Sequence, residues 1–369
     1  MQRSMNQPIP KSYIRAIHAY TPGKAKADDG RALIKLSANE NPLGCSAQAS
    51  AALAAQAGGA ARYPDPASNA LRAAIAQTYG LDADRIVCGT GSDELLNLIA
   101  AGYAGVGDEI IHVNYGFVVY DIATRKVGAE VIMAPDKDYG TDVEALLALV
   151  TPKTRLVYLA NPNNPTGTVM DDAEIARLHA GLPSDVVLVL DQAYGEYLEN
   201  DGAAAFNLAR RHDNVLITRT FSKIYGLAAE RIGWAYGHAD LIDTLNRIRG
   251  PFNVTSAGQA AAIAALGDQD FVRASRAHNS QWRGWMDEQV AALSNHGLRA
   301  VPSAANFLLV IFDGAVSAET ADAELIEAGY VVRRLPGQGL GHALRITIGT
   351  EDENRGFIAA LRAILERPR

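Results

Sequence analysis

Between Asp84 and Gly237 the apolar residues fall into short unbroken runs, each followed by a stretch with helical spacing. The runs at 85–90, 109–113, 130–134, 155–160, 186–191, 215–220 and 232–236 are rich in Val, Ile and Leu. Several show no alternation with polar residues, as expected of strands covered on both faces. Helical stretches separate them, for example 92–102, 143–150 and 173–180. Strand and helix in turn predict an α/β fold with a largely parallel sheet. In such sheets ligands bind at the carboxyl ends of the strands.

The rhythm changes after about Pro251. A long helical region, 256–293, precedes strands at 298–301, 307–312, 330–334 and 344–348, and a helix over 351–365 follows. This pattern predicts a smaller α+β domain. The expected division is an N-terminal arm (1–36), a large domain (37–255) and a small C-terminal domain (256–369). The arm is expected to pack on the small domain or to reach across a subunit interface.

Composition narrows the class. The chain has 369 residues, of which 48% are apolar and 20% charged, as in ordinary globular proteins. A net charge of −7 argues against a general polyanion binder, so no nucleic-acid partner is expected. Cys45 and Cys88 are too few for a disulfide framework or a thiolate metal site, and no metal is expected. Residues 1–8 lack the apolar core of a signal peptide, and no apolar run reaches membrane-spanning length; the alanine-rich segment 47–61 reads as helix. A cytoplasmic protein without membrane contact is the expectation.

Candidate chemistry lies at the ends of the predicted strands. Lys223, in Thr220-Phe221-Ser222-Lys223, follows an apolar run and precedes Arg231 by eight positions. It reads as an amine held for covalent chemistry with a carbonyl. Cys88-Gly89-Thr90-Gly91-Ser92-Asp93-Glu94 follows one strand and opens a helix, where backbone N–H groups could hold a phosphate. It lacks the Gly-Lys-Ser/Thr of a P-loop and the third glycine of a dinucleotide fingerprint. A plain tight turn with Ser92 or Asp93 as cap is the competing reading. Asn161-Pro162-Asn163-Asn164-Pro165-Thr166-Gly167 would fix an asparagine amide in one orientation. Asp191 ends the most apolar run, where a lone carboxylate is costly without a cation or donor. Its bland reading is a helix cap. Arg345 sits inside an apolar strand, where arginine usually takes a carboxylate or phosphate bidentately, unless it faces outward. Lysine, carboxylate, phosphate cradle and arginine together are what pyridoxal phosphate requires.

The chain resembles the histidinol-phosphate aminotransferases, within the fold-type-I group of pyridoxal-phosphate enzymes. The likeness runs from Leu36-Ser37-Ala38-Asn39-Glu40-Asn41-Pro42 to Leu344-Arg345-Ile346-Thr347-Ile348-Gly349-Thr350. The blocks Arg62-Tyr63-Pro64-Asp65, Gly91-Ser92-Asp93-Glu94, Asn163-Asn164-Pro165-Thr166-Gly167 and Thr220-Phe221-Ser222-Lys223 occur between them in order. The resemblance implies that Lys223 carries the cofactor, Asp191 meets its pyridine nitrogen, and Tyr194 and Asn164 meet its phenolic oxygen. Gly91, Ser92, Asp93, Ser222 and Arg231 would surround its phosphate, joined by Tyr63 from a second subunit of a homodimer, and Phe117 would stack on the ring. Arg345 would bind the substrate's carboxylate or phosphate, with Arg333, Tyr20 and Asn164 as further substrate contacts. Phe117 stands where many relatives have tyrosine, Gln192 where glutamate is frequent and Glu230 where an apolar residue is usual. The implied reaction joins L-histidinol phosphate and 2-oxoglutarate. An aromatic amino-acid aminotransferase and a pyridoxal-phosphate decarboxylase of a phosphorylated amino acid share the same apparatus. A non-catalytic phosphate- or nucleotide-binding protein would leave Lys223, Asp191 and Arg345 unexplained.

Overall fold

The fold was obtained as a computed structural model that describes residues 8–17 and 30–368. Tyr20 lies outside the described residues. Seven strands form the main sheet, in the spatial order Ile86–Gly89, Gly233–Gly237, Val215–Thr220, Val187–Asp191, Thr154–Ala160, Glu109–Val113 and Glu130–Ala134. The unbroken apolar runs have their cause in two cores. Leu188 and Leu190 face one core, packed under Asn69–Tyr79, Asp172–Gly181 and Ala203–Arg211. Val187 and Val189 face the other, under Ser92–Tyr103, Val118–Val127 and Ala239–Ile248. With both faces covered, no position is free to be polar without a reason.

One strand departs from the parallel pattern. Gly233–Gly237 runs antiparallel to both its neighbours. Segment 221–232, which joins it to Val215–Thr220, holds only the short turn Ala228–Glu230. A parallel return needs a crossover of about a dozen residues or more, usually a helix. The chain therefore doubles back, and this delivers Arg231 and Gly233 to the same sheet edge as Thr220.

A second sheet, entirely antiparallel, has the order Leu298–Val301, Phe307–Phe312, Leu340–Thr347, Arg333–Leu335. Ala318–Glu327, the end of Gln269–Ala291 and Glu351–Leu365 pack on it around Trp282, Met286, Leu325, Phe357 and Leu361. The run expected as one strand over 330–334 is two. Tyr330–Val331 pairs in parallel with Ile34–Lys35, while Arg333–Leu335 pairs with Leu340–Thr347. The helical region 256–293 likewise breaks at Asp268, whose side chain accepts from Phe271 N–H and caps the second helix.

The expected boundary at 255/256 does not follow the packing. Ala261, Ala262, Ala265, Leu266 and Val272 belong to the core of the large sheet. The small-unit core begins at Trp282, within the next helix. An alanine-rich helix buries its small side chains against other helices, here Ala47–Ala55 and Asn69–Tyr79. The described parts of the arm divide: Ile34–Lys35 extends the small unit, while Ser12–Arg15 lies by Val118–Val127 of the large one. Among the described residues no helix is long and apolar enough to cross a membrane.

Candidate active site

The parallel strands place the ends of Gly89, Ala160, Asp191 and Thr220 along one edge of the sheet, and the predicted site residues follow them. Asp191 is 3% exposed. Its Oδ2 accepts from the Tyr120 hydroxyl at 2.9 Å and its Oδ1 from the Thr218 hydroxyl at 3.0 Å. Burial pushes the Asp191 carboxyl up to about 6, and the two hydroxyl donors restrain that rise. No salt bridge joins it to a cation among the described residues. Its side-chain partners, among the described residues, are neutral hydroxyls.

The turn after Gly89 opens the helix Ser92–Tyr103. Gly91 caps it with φ of 81°, and a Cβ there would lie 2.6 Å from Arg231 Nη2, so only glycine admits the guanidinium. Arg231 Nη1 donates to Ser222 Oγ at 3.0 Å, and Nη2 stands 3.8 Å from Asp93 Oδ2. Glu94 does not face this opening. Its Oε2 accepts from Thr90 N–H at 2.6 Å and from Asn253 Nδ2 at 2.9 Å. The helix N-terminus, Ser92, Ser222 and Arg231 thus converge on one spot suited to a phosphate.

Lys223 lies between these two ends. Its Nζ donates to the Ala38 carbonyl at 3.4 Å and stands 5.7 Å from the Tyr194 ring centre. Burial first, then the charge of Arg345, lowers its pKa to about 8. The amine is therefore far closer to its neutral, nucleophilic form at neutral pH than an exposed lysine. The Lys223 turn is held by Gly226, at φ of 69°, which packs directly on the Gly44 carbonyl and leaves no room for a side chain. Tyr194 is buried, and its Oη accepts from Asn39 Nδ2 at 2.8 Å.

Arg345 enters from the second sheet. Its Nη1 donates to Asn164 Oδ1 at 2.6 Å and its Nη2 to the Ser37 carbonyl at 2.8 Å. It lies over the Phe307 ring, which meets Tyr194 edge-on. Arg333 is the cross-strand partner of Arg345, so both project from the same face of the small sheet. Phe117 precedes the helix Val118–Val127 and meets Tyr120 edge-on at 5.8 Å. Tyr63 is 81% exposed and stacks on Phe252 at 4.5 Å.

The structure thus gathers Lys223, Asp191, Tyr194, Asn164, Ser222, Arg231 and Arg345 at one edge. It adds three residues to which sequence reading gave no role. Thr218 carried a signal: it is the first polar residue after the apolar run 215–217, and it stands in register with Asp191. Tyr120 carried none, because its partner is 71 residues away. Asn39 stood in a recognised block but with no assigned contact.

This donor set fits pyridoxal phosphate. The acid at Asp191 without a counter-cation suits a protonated ring nitrogen, Lys223 suits the aldehyde, and the opening at Gly91–Asp93 and Arg231 suits the phosphate. The profile of the aminotransferase class I and II family matches residues 31–361. The chain belongs to that family, and within it to the histidinol-phosphate aminotransferases. It is 62% identical over 362 residues to the histidinol-phosphate aminotransferase of Sphingopyxis alaskensis, covering 96% of this chain and 97% of that one. Identity with the protein of the same description from Erythrobacter litoralis is 61% over 353 residues, covering 95% of each. A crystal structure of the Sinorhizobium meliloti histidinol-phosphate aminotransferase with pyridoxal-5'-phosphate superposes with a TM-score of 0.90. It is 30% identical and covers 98% of this chain and 99% of that one.

Proposed function

We propose that this chain transfers the amino group of L-histidinol phosphate to 2-oxoglutarate, giving imidazole-acetol phosphate and L-glutamate, in histidine biosynthesis. Pyridoxal phosphate is its cofactor and supplies an electron sink for the carbanion formed at the substrate's Cα. Asp191 keeps the ring nitrogen protonated. Tyr194 and Asn164 each present a hydrogen-bond donor to the phenolic oxygen. Gly91, Ser92, Asp93, Ser222 and Arg231 hold the phosphate, Phe117 covers the ring, and Lys223 Nζ takes and returns the Cα proton. Arg345 binds the carboxylate of the dicarboxylic partner and the phosphate of the amino-alcohol, with Arg333 beside it. The exposed ring of Tyr63 reaches the phosphate of a second subunit, so the working unit is a homodimer, and its setting is the cytoplasm. The large domain carries the cofactor and the small domain, from about the middle of Gln269–Ala291 onward, carries the arginines.

The observation that carries this reading is near-full-length identity above 60% to proteins named histidinol-phosphate aminotransferase, joined to the buried guanidinium of Arg345, a group that by its chemistry can take a carboxylate or a phosphate. A kinetic panel tests it. The kcat/KM for histidinol phosphate should exceed those for tyrosine and phenylalanine by at least about tenfold to a hundredfold, the range one well-made pocket contact supplies. A preference for tyrosine or phenylalanine would assign an aromatic amino-acid aminotransferase instead. Carbon dioxide released without glutamate would assign a decarboxylase.

A further inference from the structure

Asn39 lies in the loop that joins the arm to the large unit, 1% exposed, and every one of its polar groups is engaged. Its backbone N–H donates to Thr347 Oγ1 at 2.9 Å, and the Thr347 hydroxyl donates to Asn39 Oδ1 at 3.1 Å. Asn306 Nδ2 donates to the Asn39 carbonyl at 3.0 Å. Asn39 Nδ2 donates to Tyr194 Oη at 2.8 Å. These directions constrain one another. A backbone N–H only donates, so Thr347 Oγ1 accepts there and its own proton goes to Oδ1. A flipped amide would set Nδ2 against that hydroxyl and leave the buried Thr347 proton without its acceptor on Asn39. The residue also sits at φ of 57°, a conformation that asparagine tolerates better than most side chains.

A phenolic proton lies near the plane of its ring, on one of two sides. The Asn39 amide occupies one side of Tyr194 Oη as a donor, which excludes the proton from that side. We propose that Asn39 is a positioning residue that turns the Tyr194 proton toward the phenolic oxygen of the bound cofactor. Through Thr347 it ties that direction to the strand Leu340–Thr347, which also carries Arg345. Asn164 shows the same device, since its Oδ1 accepts from Arg345 and leaves Nδ2 as the donor. The inference rests on the reading that Tyr194 meets the phenolic oxygen.

The test is the pH midpoint of the visible absorbance of the holoenzyme, with thermal melting alongside. Tyr194→Phe removes the donor that stabilises negative charge on the phenolic oxygen. Its midpoint should rise by about one pH unit, the scale of one hydrogen bond to a charged group. Asn39→Asp tolerates the same backbone conformation but offers Tyr194 an acceptor, which turns the proton away. It should raise the midpoint by a similar amount, and adding it to Tyr194→Phe should bring little further change. Thr347→Val, which frees the amide to rotate, should raise the midpoint by less; it decides the matter if Asn39→Asp does not fold. If Tyr194→Phe leaves the midpoint in place, the Tyr194 reading falls and this inference with it. Should Tyr194→Phe move it while both Asn39→Asp and Thr347→Val only lower the melting temperature, the inference alone is overturned. Full additivity in the double variant also overturns it, because Asn39 would then act through charge and not through Tyr194.

Discussion

Two buried charges lie within one small region of the main sheet, and they are treated in opposite ways. Arg219 is fully buried and answered from within the chain. Glu196 Oε1 stands 3.0 Å from Nη1, Gln192 Oε1 accepts from Nη2 at 2.9 Å, and the Asp201 carbonyl accepts as well. Phe206 and Tyr79 flank the guanidinium at 4.7 and 5.0 Å. Burial works against its charge, yet Glu196, Tyr79 and Tyr225 outweigh that cost, and its pKa lies above the ordinary arginine value. Asp191, on the adjacent strand, receives two hydroxyls and the Ala193 backbone N–H and, among the described residues, has no salt bridge to a cation. A buried charge whose partner is built into the chain acts as a strut. One left to neutral donors is where the proposed function seats the cofactor's ring nitrogen.

Breaking the strut should have the largest effect on stability. Glu196→Gln leaves Arg219 buried with only neutral acceptors. We expect the apoprotein to lose about 3–5 kcal/mol in chemical denaturation, the usual cost of removing one partner of a buried pair. A loss below about 1 kcal/mol would mean that Gln192 and the Asp201 carbonyl suffice, and the contrast with Asp191 would collapse.

The contrast also explains what sequence could reveal. The strand runs were legible because both faces of the sheet are covered, which fixes composition regardless of partner. Asp191, Lys223 and Arg345 stand out as candidates because a charge in or beside an apolar run has few structural explanations, and the fold brings the three together at one end of the strands. Arg219 sits in just such a run, two residues before Phe221, yet carries no sequence signal of its own, since nothing local distinguishes a strut from a cofactor contact. Tyr120 and Asn39 were opaque for a different reason. Their partners, Asp191 and Tyr194, lie 71 and 155 residues away, and only the packed fold sets them in contact. The split of segment 330–334 was hidden in the same way, because its first half pairs with Ile34–Lys35, far off in sequence.

In the apoprotein the buried Asp191 carboxyl should cost stability in a definite pH window. The Asp191 carboxyl is raised in the folded apoprotein from 3.8 to about 6. The folded state thus binds a proton that the unfolded state has already released. Stability contributed by this group is complete below about pH 4 and is lost as pH rises through about 6. A shift of this size corresponds to about 3 kcal/mol. Asp191→Asn should remove this part of the pH dependence in urea unfolding of the apoprotein, while abolishing most turnover of the holoenzyme. Equal slopes for the two proteins between pH 4 and 6 would show that Asp191 is already compensated within the chain.

The smallest expected effect probes the hydroxyls that restrain Asp191. Tyr120 stacks face to face on Tyr158 at 4.8 Å, and the Tyr158 hydroxyl donates to the Leu96 carbonyl in the helix that opens at Ser92. Tyr120→Phe keeps that stack and deletes only the donor to Oδ2. A hydrogen bond to a charged group is worth about 1.5–3 kcal/mol, and Thr218 still serves Oδ1, so the lower end applies. Deleting the donor raises the folded-state pKa of Asp191 further. The pH at which the apoprotein finishes losing stability should therefore move up by about one unit from 6, with a roughly tenfold fall in kcat. An unmoved window with a normal kcat would show that the acid depends on Thr218 alone. A moved window with a normal kcat would mean instead that the cation supplied by the cofactor holds Asp191 ionised without help, and that Tyr120 matters only in the apoprotein.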